Sequence, residues 1–528
     1  MSEIVKDFIK MNQIIEPQRQ RTVVDFECNV PDGMPDIDSV LALDGACSVD
    51  SVLTENGKIT VNYTVHYKIL YLAHSFNDGN DDDSHTAADV RAINTSSSHT
   101  VYVDCDEAQD DSVIFARCAL EHMEYNVSSP RRITVKSVIK ALTDGNNTLE
   151  LGIPISISDM DGLQTKPSSY VFSTVTECIE TTLSLAESSE LGGGKPSIDS
   201  ILRSDPSICD ITVIKSDDNI TVKGNLTVCT LYAAANTTKT PEIIESHIPF
   251  THTVPAQDPL GDPALTVRSE IKSFRAEIGE DSDGLPKIID IRADICFNIV
   301  GYAERSGEML GDAYSLSKTF SFTQNEIQTF IRKDDVTAQF VLKEPVSIDN
   351  GLPAVKEVVS ITGQIGQADV TVNNDFISVD GYVVCSALYI TAEPSRPIVS
   401  CKKQLPFSHT IERRGLTETA IVPLRLYVSH TSFSLLSPTE LELRIAIAAR
   451  GEIIENQKLT IINGITDITD NSETAATRPS ILVYIVQPGD TLWKIAKRYN
   501  APMDALIAIN NIKDPDSLNA GDKLLISC

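Results

Sequence analysis

The stretch that decides the fold is Ile59–Leu72, ITVNYTVHYKILYL, in which Ile59, Val61, Tyr63, Val65, Tyr67 and Ile69 alternate with Thr60, Asn62, Thr64, His66 and Lys68. Alternation with a period of two, carried by β-branched and aromatic residues, is what a strand with one face in a core requires. Asn56-Gly57 turns the chain just before it. The same pattern returns from Ile220-Thr221-Val222 to Leu231-Tyr232 and from Ile377-Ser378-Val379 to Leu388-Tyr389, displaced by 161 and then 157 residues.

Two further markers keep step with it. Pro35-Asp36-Ile37-Asp38-Ser39-Val40-Leu41 is matched by Pro196-Ser197-Ile198-Asp199-Ser200-Ile201-Leu202 and, more weakly, by Pro353-Ala354-Val355-Lys356-Glu357-Val358-Val359. Ser98-His99-Thr100-Val101 is matched by Thr251-His252-Thr253-Val254 and Ser408-His409-Thr410-Ile411. Three markers in one order at nearly constant offsets mean that the body is one unit present three times. Segments such as RRITVKSVIKAL, KIIDIRADICFNIV and ELELRIAIAARGEI also alternate, so each unit is mainly β. A unit of this size buries its own core, and the period marks domain duplication rather than a solenoid. The expected architecture is three homologous β-sandwich-like domains, each with a short helix or strand start at the proline marker. They span residues 22–180, 181–337 and 338–466, with linkers near Ser188–Lys195 and over 467–480.

The remaining residues, 481–528, read differently. Tyr484-Ile485-Val486 is β-prone, Pro488-Gly489 turns the chain, and Asp490 stands where a helix N-cap belongs. Leu492, Ile495, Ala496 and Tyr499 then follow at helical spacing to a stop at Asn500. Pro502 suits the first turn of a second helix with Leu506 and Ile509 as its apolar residues, and Gly521-Asp522 turns into a last strand, Leu524–Ile526. The order is β-α-α-β, and the segment resembles a LysM domain. The resemblance implies a shallow groove for polymers of N-acetylglucosamine, lined by Gly489, Asp490, Thr491 and Leu492 on one side and Ile512, Lys513 and Asp514 on the other. Asp490 is first a cap and Leu492 first a core residue, which leaves Thr491, Lys513 and Asp514 for recognition. Trp493, the single tryptophan, falls off the apolar stripe and reads either as packing over the helix pair or as a contact anchor.

The 528 residues carry a formal charge of −30, which argues against nucleic acid or an anionic membrane as an electrostatic partner. No stretch approaches the ~20 apolar residues of a membrane span. MSEIVKDFIKMNQ interleaves charges with apolar residues, so no secretory signal peptide and no direct membrane insertion are expected. Eleven scattered cysteines without a C-x-x-C pair fit reduced thiols in a cytoplasmic compartment.

Taken together, the three acidic β-rich repeats, the P-[DS]-I-D-S-[VI]-L and I-x-V…LY markers and the C-terminal LysM segment resemble the SipL family of spore-coat morphogenetic proteins, which carry SPOCS domains. The resemblance implies a non-enzymatic assembly scaffold in the mother-cell cytoplasm of an endospore former. It would lie at the forespore surface and dock through its LysM domain to the ATPase of the coat basement layer. The alternative is an adaptor of wall or cortex that binds peptidoglycan.

Other chemistry is weakly signalled. His99, His252 and His409 recur, but no unit supplies a second ligand at metal-like spacing, and they read as strand-edge histidines. Asp78-Gly79-Asn80-Asp81-Asp82-Asp83 opens like a calcium loop yet has Asp83 at the sixth position and Asp89 at the twelfth, so it reads as a solvated insertion. G-x-S-x-G, H-E-x-x-H and P-loop patterns are absent, and Leu191-Gly192-Gly193-Gly194-Lys195 lacks the following Ser or Thr. No enzyme activity, metal or cofactor is expected.

Overall fold

The computed structural model describes residues 3–73, 89–216, 218–236, 241–258, 261–348, 351–393, 396, 398–417, 419–470, 481–515 and 518–527. The Asp78–Asp83 loop lies outside them. The first repeat comprises β1 (Ile4–Asn29), β2 (Ile37–Glu55), β3 (Lys58–Ala73), β4 (Val90–Asp104), β5 (Val113–Ser129) and β6 (Arg132–Ile157). They form two antiparallel sheets, β2-β3-β4 and β1-β6-β5, packed face to face. The second repeat does the same with β7 (Leu163–Glu190), β8 (Ile198–Ser216), β9 (Asn219–Ala234), β10 (Pro241–Pro255), β11 (Ala264–Gly279) and β12 (Ile288–Ser315). In the third, β14 (Val355–Asn373), β15 (Phe376–Thr391) and β16 (Ile398–Glu412) face β13 (Lys318–Ser347), β17 (Ala420–Ile421), β18 (Arg425–Ser437) and β19 (Glu440–Asp470).

The alternation read in Ile59–Leu72 is realised: Ile59, Val61, Tyr63, Val65, Tyr67, Ile69 and Tyr71 are all buried between the sheets. The proline marker is not a helix. Its residues enter β2, β8 and β14 directly, because Ile37, Ile198 and Val355 pair with the ends of β3, β9 and β15. The coupling between the first two markers is a hydrogen bond made three times. Tyr71 Oη donates to the Pro35 carbonyl at 3.0 Å, Tyr232 to Pro196 at 3.3 Å and Tyr389 to Pro353 at 3.0 Å. Each tyrosine is fully buried, so each repeat fastens the start of its first sheet to the end of its central strand.

The expected boundaries 22, 180/181 and 337/338 fall inside β1, β7 and β13, and the third repeat runs past 466 to Asp470. Ser188–Glu190 closes β7 and pairs with β12, so the glycine run 192–194 is a turn within the second repeat, not a linker. The markers fix the period of the repeat but not its phase, and the strand that opens each unit precedes all three markers.

Nor are the repeats separate bodies. Leu70, Leu231 and Leu388 break the alternation of their strands and point away from the sandwich cores, where they meet in one cluster with Ala42, Leu202, Val359 and Ile398. Beside this plug the Asp44 carboxylate of the first repeat binds Arg203 of the second and, at 2.9 Å, Lys402 of the third. Lys68 answers with Asp205 at 2.9 Å. At the opposite end the hairpin extensions β1/β6, β7/β12 and β13/β19 form a stalk, whose core includes the corresponding Ile153, Met309 and Ile461. Bulges after Ile15, Gly301 and Arg332 bend the long strands where head meets stalk.

Two outcomes follow from these bonds. Tyr389→Phe removes a buried donor from Pro353 and is expected to destabilise by ~1–3 kcal/mol, whereas Tyr102→Phe, 56 % exposed, should stay within ~0.5 kcal/mol in the same urea titration. Burial alone would raise the Asp205 carboxyl, but Arg203 and Lys68 pull it below the usual carboxylate range. A depressed folded pKa means a contribution complete above the unfolded value of ~3.9 and lost as pH falls through the folded one. Asp205→Asn should therefore melt lower than the native chain at pH 7, with the gap closing in acid.

Candidate functional site

The C-terminal domain pairs β20 (Ile481–Ile485) with β21 (Lys523–Ser527) and lays α1 (Leu492–Tyr499) and α2 (Met503–Asn510) against one face of that ribbon. Val486, Leu492, Ile495, Ala496, Leu506, Leu524 and Ile526 form its core. Both helices end on asparagines in the left-handed region, Asn500 and Asn511, each at φ 50°. Asn500 is the stop read from the sequence. Ile509 is not on the buried face but 43 % exposed.

The N-cap is displaced by one residue from the sequence expectation. Thr491 caps α1, its hydroxyl accepting from the Lys494 amide at 3.2 Å. Asp490 is unavailable because its carboxylate already accepts from the Tyr484 hydroxyl at 2.6 Å and the Gln487 amide at 2.9 Å. Those bonds, the tyrosine's first, hold the Asp490 carboxyl below its ordinary range. Lys494 Nζ reaches back to the Gly489 carbonyl at 3.0 Å and closes the loop. Of the seven residues expected to line the groove, Gly489, Thr491, Lys513 and Asp514 are exposed, Asp490 and Ile512 are half-buried, and Leu492 is buried at 1 %. Thr491, assigned to recognition from the sequence, thus also carries the cap.

Trp493 is engaged within the chain. Its indole N–H donates to Asp312 Oδ2 at 2.8 Å, and its ring meets Tyr314 edge-on at 5.1 Å. Lys497 binds the other oxygen of Asp312 at 2.5 Å, and Tyr314 Oη donates to the Ala501 carbonyl at 2.6 Å. Burial, with a smaller contribution from Asp504, pushes the Tyr314 phenol up to about 12. The domain is therefore seated on the end of β12, with the Gly489–Thr491 and Lys513–Asp514 loops outside that contact. Asp312 and Tyr314 escaped sequence reasoning. Their signal was a departure from the repeat, since the corresponding positions counted from Ile153, Met309 and Ile461 hold Ser156 and Ser158, and Gly464 and Thr466.

The outer face of the ribbon is apolar and open. Ile481, Val483 and Ile485 are 66, 57 and 51 % exposed, and Leu525, opposite Val483, is 42 % exposed. Contiguous exposed apolar side chains of this kind mark contact surfaces.

The repeated histidines lie in three separate units, each against an aromatic ring: His99 near Tyr63, His252 near Phe297, and His409 stacked on Phe340 at 4.2 Å. Burial lowers the pKa of His99 and His252. Among the described residues no group of three or more His, Cys, Asp or Glu is placed to hold a metal ion, and no helix is long and apolar enough to cross a membrane.

Comparison with known families agrees with this geometry. Residues 484–527 match the LysM domain, and residues 36–128 and 354–436 match the family described as SipL, SPOCS domain. No curated protein and no solved structure matches the chain. SPOCS domains with a C-terminal LysM domain support a sporulation coat-related protein with the potential to bind peptidoglycan. The chain thus combines SPOCS regions and a LysM domain in a way that matches a SipL-type protein.

The single tryptophan reports on the seat. Asp312→Ala removes the acceptor of Trp493 and the partner of Lys497, and should weaken docking by about 1–2 kcal/mol, a factor of about 5–30 in the docked population. Trp493 emission is expected to shift to longer wavelength and become quenchable by iodide.

Proposed function

We propose that this chain is a non-enzymatic assembly scaffold of the spore coat, working in the mother-cell cytoplasm at the forespore surface. Its LysM domain docks to a protein, the ATPase of the coat basement layer. The observation that carries the protein-docking reading is the open apolar face of Ile481, Val483, Ile485 and Leu525. A glycan chain is held by a groove with polar rims, whereas four neighbouring aliphatic side chains gain by being covered with another apolar surface. The loops carrying Gly489, Asp490, Thr491, Leu492, Ile512, Lys513 and Asp514 complete the contact and give it polar selectivity. The three repeats supply a rigid body that presents the LysM domain at the end of the stalk.

The peptidoglycan adaptor is the second reading, favoured by the LysM match itself and by the exposure of Lys513 and Asp514. Val483→Asp and Lys513→Glu change exposed side chains and should alter stability by no more than ~0.5 kcal/mol. Capture of the coat ATPase from sporulating cells should fall with both variants, most with Val483→Asp, while sedimentation with purified peptidoglycan stays marginal. Tight sedimentation of the native chain that Lys513→Glu abolishes would establish the adaptor instead.

A further inference from the structure

Between the apolar plug and the stalk the three repeats line a cavity of about 1420 Å3 that is open to solvent. In a chain of charge −30, its wall carries ten lysines and arginines against six aspartates and glutamates. Four of those six acids are ion-paired: Asp44 with Arg203 and Lys402, Asp205 with Lys68 and Arg203, Glu270 with Lys272, and Glu121 with Arg21 and Lys140. The excess positive charge gathers at Arg117, Arg268 and Arg425. These residues come from the corresponding strands β5, β11 and β18 of the three repeats, and stand 18, 16 and 16 residues after His99, His252 and His409.

One carboxylate pairs with two of the three. Asp144 binds Arg268 at 2.6 Å and Arg425 at 3.5 Å. Arg268, its side chain only 10 % exposed, lies over the Phe115 ring at 4.2 Å and leaves Nε and Nη1 buried without a hydrogen-bond partner. Arg117 makes no hydrogen bond or ion pair among the described residues, yet it is accessible within the cavity. Burial, then Arg268, pushes Arg425 down to about 9. Guanidinium groups stay protonated, so three cations share Asp144 and the attraction of Glu452, which itself binds Arg332, and the cluster keeps an excess of positive charge among the described residues.

We propose that Arg117, Arg268 and Arg425 form an anion site that takes the terminal phosphoryl group of a small phosphorylated molecule. Three equivalent guanidinium groups, one from each repeat, match the three equivalent oxygens of a phosphate monoester, and arginine binds such oxygens through paired N–H donors. The cavity far exceeds the volume of a bare ion, so the ligand has a body beyond the phosphoryl group, beside Leu120, Met123, Phe274 and Tyr427. The occupant bridges all three repeats, and its binding tightens the head.

The test uses the full chain with inorganic phosphate and with glucose 6-phosphate, each against sodium chloride at equal ionic strength, by thermal melting and titration calorimetry. Both phosphates are expected to raise the melting temperature above the chloride control with saturable binding, and tighter binding of the sugar phosphate identifies the monoester as the source. Arg117→Gln should weaken both by about 10-fold or more while melting no lower than the native chain in chloride, because it removes only an unpaired charge. Phosphate effects no larger than those of chloride, or binding unchanged in Arg117→Gln, would overturn the proposal.

Discussion

Leu70, Leu231 and Leu388 occupy one position of a unit present three times, and all three are buried in the same place. A β-sandwich buries one face of each sheet in its own core, and these leucines sit on the other face. The three repeats therefore have to close around a common axis or leave that face in water. Below the leucines the axis is charged, with Asp44 answering cations from two other repeats; further on it becomes the stalk, where Ile153, Met309 and Ile461 restore an apolar contact. The order along the axis, apolar plug, charged cavity and apolar stalk, sets where each repeat can stand.

Much of this was legible in the sequence. The alternation in Ile59–Leu72 gave the strand, its two copies gave the triplication, and the LysM spacing gave the βααβ order. Even the break at Leu70 is visible once the alternation is followed to its end. What was not legible depends on contacts between copies. A repeat period carries no phase, so of the strands that open the units β1 was cut at residue 22 and β7 and β13 were divided between neighbours. The proline marker read as a short helix or strand entry, and its residues pair with the end of the central strand, where Tyr71 holds the proline carbonyl.

The candidate site shows the same division. Exposure of Lys513 and Asp514 and burial of Leu492 agree with spacing alone. The exchange of roles between Asp490 and Thr491 does not, because it is decided by a tyrosine six residues upstream of Asp490 that captures the carboxylate. Trp493 was legible as a residue off the core stripe. Its true partner, Asp312, lies 181 residues away in another domain. The seat orients the LysM domain on the stalk, so that three acidic repeats carry one exposed apolar face.

That body is cooperative if the axis does what its packing indicates, and amide hydrogen exchange on the intact chain tests this most directly. The amides of Leu70, Leu231 and Leu388 lie in β3, β9 and β15, the central strand of one sheet in each repeat. Shared opening of the three repeats predicts that all three exchange at one slow rate, set by a single unfolding event. Three well-separated rates, one for each repeat, would show independent domains and contradict the account.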